Sequence, residues 1–317
     1  MTDGIGAELP AAKRPFRFVA SVPPMGTDPG PWIDRVRRLE DLGFSAVAIS
    51  DHIIGGWSMD VFVALTAAAL ATTRLRLMTL VLCNDFRHPV LVARSIGALD
   101  MVSGGRAELG IGAGWLAPEY EALGIRFDPP AVRVERLGEA IAIIRGLYGP
   151  EPLTFDGRHY RINGVQGRPT PVQDPGPPII VGGGSRAILE LAGRCADRVS
   201  VLPPRGSDGK VAIASLSGTA TARRLDHVRT GALVAGRDPD AIDRQIVLVA
   251  WDLHGTDGTA RSGWSSLADR QVLEAGRDGS LPGVLTGSTD LAIERLERWR
   301  DEYGFSEVHI GSDIDAF

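Results

Sequence analysis

The feature of this sequence that most constrains its fold is a regular alternation of short apolar segments with longer amphipathic ones. Apolar runs at residues 16–22, 46–50, 75–80 and 107–111 have the length of strands, and apolar residues recur at helical spacing between them. Parallel strands cannot be joined by a tight turn and usually need a crossover helix. Three strand–helix units within the first 111 residues therefore predict a parallel α/β sheet.

The middle of the chain interrupts this alternation, and the second half resumes it. Between residues 112 and 178 the pattern predicts one helix, with Leu137, Ile141 and Ile144 on its apolar face, then a polar hairpin-like stretch and a proline-rich run. The later strand candidates are residues 179–181, 198–202, 246–251 and 307–310.

Eight strands with about seven crossover helices predict a (β/α)8 barrel, or TIM barrel, in which the closing eighth helix is missing or vestigial. The interruption at about residues 112–178 is then an insertion between strands 4 and 5, long enough to cover part of a site. We expect a flexible tail over residues 1–15 and a single domain over residues 16–317. An open doubly wound sheet is the alternative architecture.

The charge balance and the hydropathy of the chain exclude several kinds of partner. Thirty-four Lys and Arg residues against 39 Asp and Glu residues give a net charge of −5, which argues against nucleic acid or an anionic membrane as a partner. No apolar run approaches the ~18–20 residues of a membrane-spanning helix, and the N-terminus lacks the pattern of a signal peptide. We therefore expect a soluble cytoplasmic protein.

Lysine and cysteine are too scarce for several kinds of chemistry. Neither Lys13 nor Lys210 lies at the end of an apolar strand, where a Schiff-base lysine would be buried. Cys83 and Cys195 cannot build a disulfide framework and form no CxxC pair. Zinc-protease and calcium-loop motifs are also missing from the sequence, so we expect no metal ion.

The first candidate site follows strand two. In a parallel α/β fold the reaction takes place at the carboxyl ends of the strands, and His52 is the histidine placed at an early strand end beside an acid, Asp51. Imidazole exchanges a proton near neutral pH, so His52 is the candidate catalytic residue. Asp51 would orient His52 or bind a group of a cofactor. The alternative is a surface Asp-His turn.

The second candidate site is a glycine-rich loop that follows strand five and opens a helix. The free N–H groups of a helix N-terminus favour phosphate, and an arginine in the first turn adds a bidentate donor. The candidate residues are Gly182, Gly183, Gly184, Ser185 and Arg186. The loop also fits a dinucleotide fingerprint, but that reading needs an acid at the end of the next strand, which ends in Pro203 and Pro204. A barrel phosphate site fits better, and a tight turn without a ligand is the alternative.

A further glycine-rich loop, GIGAGW at residues 110–115, follows strand four. It lacks the third glycine of a dinucleotide fingerprint. Its glycines would let a flat ring approach the backbone closely, which makes Gly112 a candidate cofactor contact.

Several of these motifs together resemble the luciferase-like flavin and deazaflavin oxidoreductases, the bacterial luciferase type. The motifs are Leu99-Asp100, Ser103-Gly104-Gly105-Arg106, the GIGAGW loop with Glu119, Phe155-Asp156-Gly157 with Tyr160, the proline-rich run before strand five, the three glycines 182–184, and Ala196-Asp197. The resemblance extends from about residue 16 to residue 310. It implies a (β/α)8 barrel with an insertion over the site, usually a homodimer, that binds a reduced flavin or coenzyme F420.

The run Ser50-Asp51-His52-Ile53 is more similar to the F420-dependent members than to the luciferases, which often carry an acidic-His-His run there. By this resemblance Asp51 and His52 lie near the deazaflavin ring. The family's non-prolyl cis peptide matches Thr79–Leu80, behind the ring, so both residues are expected to contact the cofactor. Residues 182–186 would receive its phosphate.

The resemblance implies hydride transfer between the deazaflavin C5 and a small organic substrate, with His52 donating or accepting the accompanying proton. Family members that oxidise sugar phosphates use a lysine at the phosphate, and this chain has no lysine in a matching place. One alternative is an FMN-dependent monooxygenase supplied with reduced flavin by a partner flavin reductase. Another is a carrier that binds F420 or flavin without catalysis.

Overall fold

The computed structural model of the chain describes residues 14–54, 59–204, 211–253, 270–315 and 317. Its strands are β1 (Arg17–Ser21), β2 (Ala46–Ile49), β3 (Arg76–Thr79), β4 (Leu82–Cys83), β5 (Ala107–Gly112), β6 (Leu153–Asp156), β7 (Arg161–Val165), β8 (Ile179–Gly183), β9 (Arg198–Val201), β10 (Asp243–Val247), β11 (Ala250–Leu253), β12 (Val284–Gly287) and β13 (Phe305–His309). Its helices are α1 (Gly30–Asp41), α2 (Val61–Ala71), α3 (Pro89–Ser103), α4 (Ala117–Leu123), α5 (Pro130–Tyr148), α6 (Arg186–Cys195), α7 (Gly218–Val234), α8 (Arg270–Ala275) and α9 (Thr289–Tyr303).

Eight parallel strands form a closed barrel, which confirms the predicted (β/α)8 fold. The strands follow one another around the barrel in the order β1, β2, β3, β5, β8, β9, β10, β13. Pairing of β3 with β5, at Leu77 with Ala107, and of β13 with β1 closes the ring. The open doubly wound sheet is thereby excluded, since such a sheet has two unpaired edges.

Alternate residues of the barrel strands face the axis, and the others face the surrounding helices. The residues inside the barrel include the small cluster Val19, Ala46, Ala48, Met78 and Ile180. The outward residues join a much larger apolar cluster with the helices.

The N-terminal end of the barrel is filled by a buried ionic network. Glu108 accepts hydrogen bonds from Arg198 Nη1 and Arg17 Nη2, each at 2.8 Å, and Arg76 and Glu307 complete the group. Burial acts to raise the pKa of Glu108, but the guanidinium groups of Arg198, Arg17 and Arg76 outweigh it and lower that pKa to about 2. This end of a barrel serves stability rather than the reaction.

Local sequence explains where several helices begin and end. Asp60 caps α2, because its carboxylate accepts from the N–H groups of Phe62 and Val63. Ser288 caps α9, because its hydroxyl accepts from Leu291 N–H. The sequence predicts this cap, since Ser288 comes just before apolar residues at helical spacing. At the end of α3, Gly104 has a φ of 68°, the left-handed conformation that favours glycine.

The predicted seventh strand, residues 246–251, is wrong in its bounds. The barrel strand β10 ends at Val247, and Val249 N–H then donates to Gly283 O outside the barrel. Trp251 belongs to β11, which pairs in parallel with β12 in a separate small sheet. Because apolar residues run without a turn signal from Ile246 to Trp251, the pattern could not locate the break between the two strands.

The segment between β5 and β8 contains a regular crossover helix as well as additional structure. Helix α5 packs between α3 and α6, the position of a barrel helix. Helix α4 and the antiparallel hairpin of β6 and β7 lie outside that pattern. The proline-rich run is held by Asp100, whose carboxylate accepts from the N–H groups of Val172 and Gln173 at 2.8 and 3.0 Å.

The chain after β13 makes contacts where an eighth helix would pack. In residues 310–315 and 317, the described part of this segment, no helix follows β13. The Phe317 ring instead lies against the rings of Phe18 and Trp251, with centroids 5.6 and 5.3 Å away. Across the described ranges, none of the helices combines the length and the apolar character needed to cross a bilayer.

Candidate active site

The imidazole of His52 is held by a carboxylate at the exit of β2. His52 Nδ1 lies 3.1 Å from Oε1 of Glu119, which sits in the first turn of α4 and is almost completely buried. The same carboxylate oxygen accepts from Ile53 N–H at 2.8 Å. The ring of Trp115 meets the His52 ring edge-on, with centroids 6.0 Å apart. These contacts determine the orientation of the imidazole at the C-terminal mouth of the barrel.

Asp51 does not hold its neighbour His52 but instead connects two strand exits. Its Oδ2 accepts from Arg87 Nη1 at 2.6 Å and from Cys83 N–H at 3.1 Å. Arg87 also donates to Asp60 Oδ2 at 3.1 Å. Burial raises the pKa of Asp51, and the bond from Arg87 limits the rise. The carboxylate therefore ties the loop after β2 to the segment after β3.

The non-prolyl cis peptide lies at Leu80–Val81, one residue later than the predicted Thr79–Leu80. Leu80 N–H still donates to Ile49 O at 2.8 Å, so the β2–β3 ladder continues through Leu80 and the chain turns after it. The prediction rested on matching the family's motif to the strand-three exit, and that match was one residue too early.

The two cofactor candidates on this strand have different surroundings. Thr79 is fully buried, and its hydroxyl exchanges hydrogen bonds with the backbone of Gly110, at 2.7 Å to O and 2.8 Å from N. This hydroxyl therefore serves the junction of β3 with β5. Leu80 is half-buried and packs on the cluster inside the barrel, next to the mouth.

The side chain of Val81 lies close to both Gly112 and Gly182. A Cβ atom added at Gly112 would lie 3.0 Å from Val81 Cγ2, and one at Gly182 would lie 3.2 Å from Val81 Cγ1. Val81 thus joins the exits of β5 and β8. The absence of side chains at these two positions leaves backbone at the strand exits, which fits a flat ring lying against it.

The other residues of the GGGSR loop pack closely against β9 and α6. A Cβ at Gly183 would meet Ile188 at 2.5 Å, and one at Gly184 would meet Leu202 O at 2.2 Å. Close packing therefore accounts for these two glycines, as the alternative of a tight turn predicts. Ser185 precedes α6 and makes no capping hydrogen bond through its side chain.

Arg186 points along its own helix. Its Nε donates to Glu190 Oε1 at 2.6 Å, one turn further on, and the side chain is largely exposed. The arrangement leaves the N-terminus of α6 at the mouth of the barrel, with Arg186 beside it. To contact a bound phosphate, the guanidinium would exchange this exposed ion pair for the ligand.

The structure brings together most of the predicted site residues. Asp51 meets the strand-three exit through Cys83, His52 meets α4 through Glu119, and Gly112 meets Gly182 through Val81. Sequence reasoning gave no role to Arg87 and did not pair Glu119 with His52. In the sequence, the only sign that Glu119 matters is its place in the family motif that begins with the GIGAGW loop. Among the described residues there is no group of three or more His, Cys, Asp or Glu side chains that could hold a metal ion.

Comparison with known proteins defines the class to which this fold and site belong. A family model for luciferase-like monooxygenases matches residues 15–303. The chain therefore belongs to the luciferase-like monooxygenase family, as the resemblance of its motifs predicts. It is an oxidoreductase built on a (β/α)8 barrel.

The relatives include F420-dependent enzymes. A 5,10-methylenetetrahydromethanopterin reductase of Methanolobus tindarius is 31% identical over 256 residues, which cover 81% of this chain and 68% of that protein. An F420-dependent glucose-6-phosphate dehydrogenase of Kineococcus radiotolerans is 31% identical over 224 residues, 69% of this chain but only 63% of the relative.

A solved structure shows the same fold over nearly the whole chain. The coenzyme F420-dependent tetrahydromethanopterin reductase of Methanopyrus kandleri superposes with a TM-score of 0.73 at 20% identity, covering 95% of this chain and 94% of that one.

Proposed function

We propose that this protein is a coenzyme F420-dependent oxidoreductase that transfers a hydride between the deazaflavin C5 and a small organic substrate. The observation that carries the proposal is the His52–Glu119 pair, which places an oriented imidazole at the mouth of the barrel. The F420-dependent relatives support the choice of cofactor. The bound deazaflavin supplies the two-electron carrier.

The protein's part in this reaction is to place the reactants and to move one proton. With Nδ1–H donated to the Glu119 carboxylate, His52 exchanges the proton through Nε2. When the substrate is oxidised, Nε2 takes the proton of its hydroxyl group, and when it is reduced, Nε2–H returns that proton. The nearby negative charge of Glu119 stabilises the imidazolium form that arises.

The cofactor would lie across the mouth, along the candidate residues already described. Leu80, Val81, Gly112 and Gly182 would face the ring, and Thr79 would support them from below. Asp51 would lie at the edge of the ring. Residues 183–186 would hold the phosphate through the N–H groups of the α6 N-terminus and the Arg186 guanidinium.

Titration of the purified protein with F420 and, separately, with FMN tests the choice of cofactor, with fluorescence as the readout. We expect micromolar binding of F420 and no binding of FMN. The opposite result would replace the proposal with the main alternative, an FMN-dependent monooxygenase served by a flavin reductase, which the family description favours.

A screen of small alcohols, aldehydes and enones with the F420-loaded protein separates an enzyme from a carrier. Bleaching of oxidised F420 or its recovery shows hydride transfer in either direction. A protein that binds F420 and turns over no compound in either direction would support the carrier alternative. A cytoplasmic location remains a prediction from the sequence.

We propose further that the protein is a homodimer in which α2 and α3 are covered by a second copy. Helix α2 carries no charged residue, which is typical of a helix buried on all sides, yet Val63 and Leu70 are exposed. Leu91 on α3 is exposed as well. Light scattering should give twice the chain mass of 33.7 kDa. Leu70→Glu should give monomers, whereas Val234→Glu, at an equally exposed position on α7, should not.

A further inference from the structure

Ser21 and His309 form a hydrogen-bonded pair inside the upper end of the barrel. Ser21 is the last residue of β1 and His309 the last of β13, and the two strands are neighbours. Both side chains face the barrel axis. Ser21 lies two residues after the inward-facing Val19 on β1, and His309 is the residue that pairs with Val19 on β13. Ser21 Oγ lies 2.9 Å from His309 Nε2.

The surroundings of His309 determine which nitrogen carries its proton. The side chain is 2% exposed, and burial lowers its pKa to about 4, so the imidazole is neutral near pH 7 and carries one N–H. Nδ1 is enclosed and has no hydrogen-bond partner among the described residues. Ser21 Oγ satisfies Nε2 in either tautomer, so the two forms differ at Nδ1, which is an orphan donor in one and an orphan acceptor in the other. Buried N–H groups without an acceptor are the rarer of the two in proteins. The Nε2–H form is therefore favoured.

This arrangement makes Ser21 a donor toward other groups. Its oxygen accepts from His309, so its own hydroxyl hydrogen points away from the imidazole. Within the described ranges Ser21 Oγ makes no second hydrogen bond. The hydroxyl is therefore available to a ligand that offers an acceptor atom.

A small cavity lies beside Ser21, lined by residues that follow β1 and β2 and by residues of α1 and α2. It has a volume of about 40 Å³, and among the described residues Ser21 and Ser50 bring hydroxyl groups to its wall. The rest of its wall is apolar and includes Val22, Trp32 and Met59. Trp32 Nε1–H donates to Pro23 O at 3.1 Å, which ties the segment after β1 to α1. Ser50 precedes His52 by two residues, so the cavity adjoins the candidate active site.

We propose that this cavity is a subsite for the apolar end of an uncharged, oxygen-bearing substrate, and that the Ser21 hydroxyl, oriented by His309, donates a hydrogen bond to the substrate's carbonyl or ether oxygen. The described residues of the wall include no charged side chain, so a neutral group is accepted and an ionised one is disfavoured. This subsite rests on the proposed function in one respect, namely that its ligand is the substrate that reacts at His52.

The tautomer can be tested in the protein without cofactor or substrate. Nitrogen-15 NMR of the histidine side chains at pH 7, with His309→Gln used to assign the signal, reports which ring nitrogen is protonated. We expect Nε2–H. An Nδ1–H signal would mean that Ser21 donates to His309 and cannot donate to a ligand, which would overturn the proposal.

The ligand class can be tested with two compounds of the same shape. Cyclopentanone offers an acceptor oxygen, and methylenecyclopentane carries a CH2 group in its place. Ligand-observed NMR with the cofactor-free protein should show cyclopentanone binding at least fivefold more tightly. Ser21→Ala should abolish this preference, and Ser200→Ala, which alters a buried hydroxyl on β9 outside the cavity wall, should leave it unchanged.

Equal binding of both compounds to the wild-type protein, binding of neither, or a preference that survives in Ser21→Ala would each contradict the subsite. These outcomes are independent of the F420 titration. Failure of the subsite is therefore distinguishable from failure of the proposed function.

Discussion

The Glu119 carboxylate lies 3.1 Å from Nδ1 of His52, so two residues 67 positions apart in the sequence form one hydrogen-bonded pair at the mouth of the barrel. The pair joins the exit of β2 to the first turn of α4. The candidate proton-transfer group is thereby oriented by the segment between β5 and β8, and not by its neighbour Asp51, which is bonded to Arg87.

Replacement of His52 should remove proton transfer without removing the cofactor. We expect His52→Ala to lower kcat by about 10²–10⁴-fold, the usual contribution of a general acid or base, with F420 affinity changed only slightly. Steady-state kinetics and an F420 titration measure the two effects. His227→Ala, on α7, is the control and should retain wild-type turnover. Near-full turnover of His52→Ala would show that His52 has no role in moving the proton.

Removal of the charge of Glu119 should have a smaller effect on the same step. In Glu119→Gln the amide oxygen can still accept from Nδ1–H, but a charge-assisted bond becomes a neutral one. A loss of about 1.4 kcal/mol corresponds to a tenfold lower kcat. Glu121→Gln, at an exposed position of the same helix, should match the wild type. Equal kcat in both variants would contradict an orienting role for Glu119.

Loss of the cation beside Asp51 should destabilise the fold. Arg87→Met leaves a buried carboxylate without its partner, so we expect the free energy of unfolding to fall by about 2–3 kcal/mol in urea denaturation. The Asp51→Asn and Arg87→Met double variant should recover part of this loss. Arg161→Met, which breaks the exposed pair with Asp156, should cost less than about 1 kcal/mol. A similar loss in the two single variants would contradict this assignment.

The close approach of Gly184 to β9 should make even a methyl group harmful there. Gly184→Ala places a Cβ against Leu202 O, a backbone atom that cannot move aside alone, so we expect a loss of about 1–3 kcal/mol in stability and weaker F420 binding. At Gly26 no atom lies within 4 Å of an added Cβ, and Gly26→Ala should be nearly neutral. Urea denaturation and F420 titration of both variants measure the contrast. Wild-type stability of Gly184→Ala would be inconsistent with the packing.

The buried imidazole of His309 should make stability depend on pH. Its pKa is about 4 in the folded protein against 6.5 for an ordinary histidine, so below pH 6.5 the unfolded chain binds a proton that the folded one does not. The stabilisation is complete above pH 6.5 and is lost as the pH falls toward 4, by up to about 3 kcal/mol. The stability difference between wild type and His309→Gln should shrink by that amount over this range. A difference that stays constant from pH 7 to pH 4.5 would contradict the burial effect.

Prediction from the sequence succeeded for the elements and was less exact at their ends. The alternation of apolar runs and helical periods predicted the barrel, and Ser288 marked the start of α9. The bounds of the seventh strand were wrong for lack of a local turn signal, and the match to the family's motif placed the cis peptide one residue too early. Both errors lie at strand ends, where the chain leaves the sheet because of contacts with distant segments.

The sequence by itself determined the fold class and placed Asp51, His52 and the glycine loops at strand ends. It could do so because the spacing of apolar residues and the helix caps depend only on residues that are close together in the chain. Only the tertiary structure decided the partners. Glu119 reaches His52, Arg87 reaches Asp51, and Ser21 meets His309 only after the strands close into a ring. Hydrogen bonds form between atoms about 3 Å apart, and the spacing of two residues along the chain does not determine their distance in the barrel.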